Sequence, residues 1–330
     1  MSVPPTASVV IPAFQADAFV DCAIRSALDQ TLAGIEVIVV DDCSTDGTWD
    51  VLMDWARRDP RVVALRQPVR GGPAAARNAA IAQARGRWIA LLDADDLYVP
   101  GRLAHLVAVA EASGADLLAD NMLRVDFRTG QEFGPRFAEA QMRLPCPVCL
   151  KEAVRRDMPE HWPRGEMFGF FQPIMRRDFL AARRIRYAED VLVGEDFLLY
   201  FECIAAGARF HLTPAPGYVQ RLRAGSLSRS REAMLHMSTA NRRMLAIAAG
   251  RPEDGLAALL RRRQRQIDID CFALLLERGA VRDALRHAHC GTPVRLLRHA
   301  RAAVGAWQRR RSAAAPRPGA RSAGRSPGLG

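Results

Sequence analysis

The sequence predicts an α/β protein built on an open sheet, and three observations carry that expectation. Short apolar runs rich in β-branched residues alternate with segments of helical periodicity through the first 120 residues. The run Ile35–Val40 (IEVIVV) is apolar at nearly every position, as a parallel strand covered on both sides requires. Two of the runs end in carboxylates, at Asp41-Asp42 and at Asp93-Ala94-Asp95-Asp96.

Taken in order, Ser8–Pro12 (SVVIP) is a strand stopped by proline. From Asp17 to Leu28, Phe19, Ala23 and Ala27, with Val20, Ile24 and Leu28, recur at helical spacing, and Asp17 is placed to be the N-cap. After Ile35–Val40, DDCSTDGT turns the chain into a helix over Trp49–Arg58, and Val62–Leu65 is the next strand. Gly71-Gly72-Pro73 opens a helix to about Ala84, and Trp88–Leu92 is again a strand. Right-handed crossovers place the carboxyl ends of such strands along one edge, where ligands bind. Both acidic clusters are therefore expected to face one crevice.

Residues 121–230 carry many prolines, those at 135, 145, 147, 159, 163 and 173 among them, and read as the second half of the same domain, in shorter elements. Residues 232–305 are helical and amphipathic in pattern, and from 309 the chain lacks the apolar content to fold. The expected organisation is a domain over 1–230, a helical C-terminal extension over 231–308 and a basic, disordered tail over 309–330.

The net charge is +11 over 330 residues, and it is uneven. Residues 251–330 hold 17 arginines against 6 acidic residues, so the first 250 residues balance to zero. Lys151 is the one lysine. Seven scattered cysteines fit a reduced compartment better than a disulfide framework. No signal-peptide pattern opens the chain and no run of about 18 apolar residues occurs, so a cytosolic site of action is expected. Cys146-Pro-Val-Cys149 has no second pair to complete a zinc site and reads as incidental.

Asp93 and Asp95, two residues apart at a strand end, suit a hard divalent cation shared with phosphate oxygens. Asp95 or Asp96 could instead cap the helix after Pro100, a reading that Asp96 retains. Asp42 is either a ligand or a turn former beside Ser-Thr-Asp-Gly. Glu195-Asp196 either favours a helix N-terminus or supplies a general base.

Four stretches in register alter this balance: VVIPAFQ at 9–15, VIVVDDCSTDGT at 37–48, GGPAAARNAAIAQARGRWIALLDADD at 71–96 and VGEDFLLY at 193–200. With them the chain resembles family 2 glycosyltransferases, over residues 7–120 above all and onward to about 230. The resemblance implies a GT-A fold, a Rossmann-like open mixed sheet flanked by helices, with the C-terminal helices as an appendage. It implies that Pro12 and Phe14 border a nucleobase pocket and that Asp42 bonds the uracil of a uridine diphosphate sugar. It places Arg77 near the nucleotide, Asp93 at the ribose, and Asp95, with Asp93, at a Mn²⁺ or Mg²⁺ ion. It makes Asp196 the general base and Glu195 its neighbour toward the acceptor. Within YVQRLRAGSLS (218–228) it gives Arg223 and Ser226, and secondarily Arg221, to the diphosphate. Gln15 stands where relatives carry asparagine.

The implied reaction is inverting transfer from a nucleoside-diphosphate sugar. GFFQPIMRRDFL, GEDFLLY and YVQRLRAGSLSRS are similar to bacterial exopolysaccharide enzymes of the succinoglycan type, which extend a lipid-linked oligosaccharide. The acceptor expected is thus a glycan or lipid-linked oligosaccharide, with the basic C-terminal region on the inner face of the plasma membrane and no nucleic-acid partner. A nucleotidyltransferase would need a glycine-rich basic loop where this chain has IPAFQADAF. A glycosidase gives no reason for the D-x-D. A non-enzymatic membrane or nucleic-acid binder would rest on RRRQR (261–265) and RRR (309–311) alone.

Overall fold

The structure is a computed structural model that describes residues 4–142, 147–164, 166–223, 233–251 and 255–287. Cys146, Ser226 and the basic tail from 309 lie outside the described residues.

In chain order the elements of the first half are β1 (Ala7–Ala13), α1 (Val20–Leu28), β2 (Ile35–Asp41), α2 (Thr48–Arg58), β3 (Val62–Arg66), α3 (Gly72–Gln83), β4 (Trp88–Leu91), β5 (Leu97–Tyr98) and α4 (Arg102–Ser113). There follow β6 (Leu117–Asp126), β7 (Glu132–Pro135), α5 (Glu139–Met142), α6 (Leu150–Arg156), β8 (Ile174–Arg176), α7 (Arg177–Arg183), α8 (Glu195–Ala205) and β9 (Phe210–Leu222). Three helices close the described chain: α9 (Ala233–Ala249), α10 (Leu256–Glu277) and α11 (Val281–Leu285).

One sheet runs β3-β2-β1-β4-β8-β6-β9-β5, with β7 along β6. Strands β1 to β4 pair in parallel, whereas β8 is antiparallel to both β4 and β6, so the sheet is mixed. Period-two alternation divides the parallel strands between two cores. Val10, Ile38, Val40, Ile89 and Leu91 face one core, while Val9, Ile11, Val37, Val39 and Ala90 face the other. The order reverses between β1 and β4, and the carboxyl ends of β1, β2 and β4 lie side by side there.

Two local expectations are corrected. Helix α1 starts at Val20 with no side-chain cap, because Phe19 N–H and Val20 N–H close a turn on the Ala16 carbonyl, and Asp17 does not cap it. Asp96 does not cap α4 either, whose N-cap is Gly101 in the left-handed region. Strand β9 continues through Pro214 and Pro216 to Leu222, because irregular register against β6 absorbs both prolines.

The chain divides into two compact units, Met1–Ile267 and Asp268–Gly330. The first takes in α9 and the start of α10, and one of its cores holds Met244 and Leu260 together with Phe197 and Phe201. In the second unit, His287 Nδ1 lies 2.7 Å from Asp268 Oδ1.

Candidate active site

At the end of β2, Asp41 is buried and pairs with Arg66, while the Asp42 carboxylate turns to the loop before α3. Gly71 N–H donates to Asp42 Oδ1 (2.7 Å) and Gly72 N–H to Oδ2 (2.8 Å). Gly72 has φ +81, which a side chain rarely tolerates, and Pro73 follows where a helix loses nothing by lacking an N–H. Asp42 therefore starts α3 as well as closing β2.

Pro12 is half-buried at the end of β1, and the exposed Phe14 ring lies beneath the Arg70 guanidinium, 4.0 Å from its centroid. Gln15 sits at φ +50, a region where asparagine is enriched, which gives a reason for the asparagine usual in relatives. Its side-chain carbonyl still accepts from Thr45 N–H at 2.8 Å.

Helix α3 links this corner to the acidic end of β4. Arg77, on that helix, is buried. Its Nη2 donates to Asp93 Oδ1 (2.8 Å) and its Nη1 to Glu195 Oε1 (3.0 Å), with Asp196 Oδ1 at 3.4 Å. One guanidinium thus joins Asp93 to the pair that opens α8, and it is the hub of the site. Gly194, at φ +88, turns the chain so that Glu195 and Asp196 occupy the first turn of α8.

Burial pushes the Glu195 carboxyl up to about 8, and the neighbouring Asp196 charge adds to the rise while Arg77 opposes it. Asp196 is also raised, first by burial, against the pull of Arg77. One positive charge does not neutralise three carboxylates, so a proton resides on the pair near neutral pH.

The three aspartates after β4 separate. Asp95 Oδ2 accepts from Arg223 Nε at 2.5 Å. Asp96 is buried: its Oδ2 accepts from Tyr218 O–H (2.9 Å) and its Oδ1 from Arg221 N–H (2.8 Å). Asp93 N–H in turn donates to the Tyr218 oxygen at 3.1 Å. Burial, then the charges of Asp95 and Asp93, hold the Asp96 carboxyl well above the usual range. The Arg221 and Arg223 guanidiniums stack on Phe127 and Phe19, 4.8 and 4.9 Å from the centroids, and those rings meet edge to face. Asp96 is thus the tie between the loop after β4 and the end of β9.

The side chains of Asp93 and Asp95 are 34% and 24% exposed and offer hard oxygen donors. Among the described residues no three His, Cys, Asp or Glu gather as a metal cage. The donor set suits an ion held by one or two carboxylates and completed by phosphate and water oxygens.

The structure brings Asp93, Arg77, Glu195 and Asp196 together, sets Arg223 on Asp95, and places Pro12, Phe14 and Asp42 along the neighbouring strand ends. Sequence reasoning missed Arg70, Tyr218, Asn78 and Tyr187. Asn78 was within reach, since it follows Arg77 directly.

A mixed sheet whose strand order reverses between parallel strands, with an acidic corner after β4 tied through one arginine to a carboxylate pair at a helix N-terminus, is the architecture of a glycosyltransferase of the GT-A fold. The chain belongs to glycosyl transferase family 2, whose model matches residues 8–177. It is 33% identical over 338 residues to the succinoglycan biosynthesis protein ExoO of Rhizobium meliloti, covering 98% of this chain and 91% of that protein. Among solved structures it is similar to S. aureus TarS 1–349 in complex with UDP-GlcNAc, at 20% identity and a TM-score of 0.66, over 88% of this chain and 82% of that one. It is also similar to the mannosyltransferase PcManGT of Pyrobaculum calidifontis in complex with GDP-Man and Mn²⁺, at 18% identity and a TM-score of 0.54, over 94% and 83%.

Proposed function

We propose that this enzyme is a metal-dependent, inverting glycosyltransferase. It moves a sugar from a nucleoside-diphosphate sugar, a uridine diphosphate sugar first, to a hydroxyl of a glycan or lipid-linked oligosaccharide in polysaccharide synthesis. The observation that carries this reading is the Arg77 bridge, which holds a donor-side carboxylate and a base-side pair on one guanidinium. The names of ExoO and of the UDP-GlcNAc complex support the pathway and the donor class.

In this reading Phe14 and Arg70 flank the base, Asp42 takes the uracil edge, and Asp93 takes the ribose. Asp95 and Asp93 would hold a divalent cation, which when bound supplies positive charge for a departing diphosphate. Arg223, and Ser226 beyond the described residues, bind phosphate oxygens. Asp196 removes the acceptor proton as the hydroxyl attacks the anomeric carbon, and Glu195 stays protonated beside it, which leaves the negative charge on Asp196. The peripheral contact with the inner membrane surface belongs to the basic C-terminal region. None of the described helices is long and apolar enough to cross a membrane.

Purified enzyme with Mn²⁺ or Mg²⁺ and a panel of nucleotide sugars should release nucleoside diphosphate from one donor class. Asp196→Asn should lower transfer by about 10²–10⁴-fold while leaving donor affinity within a few-fold. Full transfer by that variant would remove Asp196 as the base, and no nucleotide binding with either ion would remove the whole reading.

A further inference from the structure

Three polar atoms in the hub are buried without a hydrogen-bond partner: Arg77 Nε, the Tyr187 hydroxyl and Asp196 Oδ1. An unmatched hydroxyl costs roughly 1–3 kcal/mol that a phenylalanine of nearly the same shape would avoid. Tyr187 is nonetheless held with unusual care. Asn78 grips its backbone from both sides, its Nδ2 donating to the Tyr187 carbonyl and its Oδ1 accepting from the Tyr187 N–H, each at 2.9 Å. The Arg77 guanidinium lies 5.3 Å from the centroid of the Tyr187 ring. Neighbouring residues of α3 therefore fix both the main chain and the ring of one tyrosine. That tyrosine lies beside Asp196 without closing a hydrogen bond of ordinary geometry to it, and the Asp196 charge raises the hydroxyl further above its ordinary range after burial has already done so.

The other groups facing Asp196 are committed elsewhere. Tyr200 donates its hydroxyl to the Phe171 carbonyl at 2.7 Å. Glu195 is held by Arg77 Nη1, and Asp93, the donor-side carboxylate, by Nη2. Arg77 itself reaches Asp196 as a charge at 3.4 Å. Tyr187 is the hydroxyl among these neighbours with its proton uncommitted, and it keeps that proton through the working pH range because the buried phenolate is disfavoured.

We propose that Tyr187 is a positioning residue for transfer: in the working enzyme its hydroxyl donates to Asp196, fixing that carboxylate toward the acceptor hydroxyl and stabilising its ionised form. The proposal rests on Asp196 being the base. Arg77 supplies the charge that keeps the base in place, and Tyr187 supplies the directed hydrogen bond, with Asn78 holding the tyrosine's main chain. No proton leaves Tyr187 in the reaction. The acceptor proton goes to Asp196 alone.

The sign of the effect follows. A hydrogen bond to the ionised carboxylate lowers its pKa, so losing it raises the pKa. Transfer that needs ionised Asp196 fails as pH falls through that value, so the acid limb of kcat/KM should move to higher pH. The test compares Tyr187→Phe with wild type, using the donor that the panel identifies and a fixed acceptor. Expected are a limb shifted upward by about half a pH unit or more, kcat down by about tenfold, donor KM within about twofold and a Tm unchanged or higher. An acid limb that stays in place overturns the proposal, whatever happens to kcat. Replacing Tyr187 with 3-fluorotyrosine keeps its packing and strengthens the donor, so the limb should move the other way, and a limb that stays or rises there also overturns it. Failure of the underlying reading is distinguishable, because Asp196→Asn would then transfer sugar normally.

Discussion

Arg77 faces Asp93, Glu195 and Asp196 with one positive charge, and this imbalance has a thermodynamic signature. Glu195 is raised from 4.5 to about 8 in the folded enzyme, so between those values the native state keeps a proton that the unfolded chain releases. The stability this contributes is full below the unfolded value and is lost as pH rises toward 8. Glu195→Gln keeps an acceptor for Arg77 and removes the titration. Its stability relative to wild type should improve steadily from pH 5 to pH 8, by up to about 1.4 kcal/mol per pH unit. Urea unfolding at several pH values reads this directly, and parallel pH profiles for the two proteins would show that Glu195 holds no proton.

At the scale of elements, the polar contact that fastens α10 to the end of α6 and to α9 is buried. Arg263 Nη2 pairs with Asp157 Oδ2 at 2.6 Å, Nη1 donates to Asn241 on α9, and the guanidinium lies 5.3 Å from the Phe197 ring centroid. Phe197 follows Asp196, so this clamp braces the helix that carries Asp196. Arg263→Ala would leave Asp157 charged and buried, at a cost of about 3–5 kcal/mol by chemical denaturation. Arg262→Ala, beside it but exposed and paired with Glu160, should cost no more than about 1 kcal/mol. The contrast also marks where sequence reading fails. RRRQR reads as a uniform basic run, yet Arg263 turns inward while Arg261, Arg262 and Arg265 stay in water. Strands β1 to β4 were legible because both of their faces are apolar, a pattern written in consecutive residues. Asp42, Asp93 and Asp95 were legible because charge at the end of an apolar strand is conspicuous, and Glu195-Asp196 because it precedes a long apolar run. Their partners were not: Glu195 meets Arg77 across 118 positions, and Asp96 was read as a cap because nothing local reveals Tyr218 and Arg221 on β9.

Over the whole molecule, these contacts decide where the chain can be cut. Met244 and Leu260 share a core with Phe197, Leu198 and Phe201, so ending the chain at residue 230 would expose that face of α8. Such a protein should be insoluble or lack a cooperative unfolding transition, whereas one ending at residue 287 keeps every described element. The second cut also removes most of the net charge. Residues 288–330 hold nine arginines and no acidic residue, so they account for +9 of the net +11. If the basic region places the enzyme on an anionic membrane, the full chain should float with vesicles containing anionic phospholipid at low salt and detach as salt rises. The chain ending at 287 should stay in the soluble fraction while retaining donor hydrolysis. Equal flotation of the two proteins would move the membrane contact onto residues 1–287, and loss of hydrolysis on truncation would mean that the basic region serves the reaction itself.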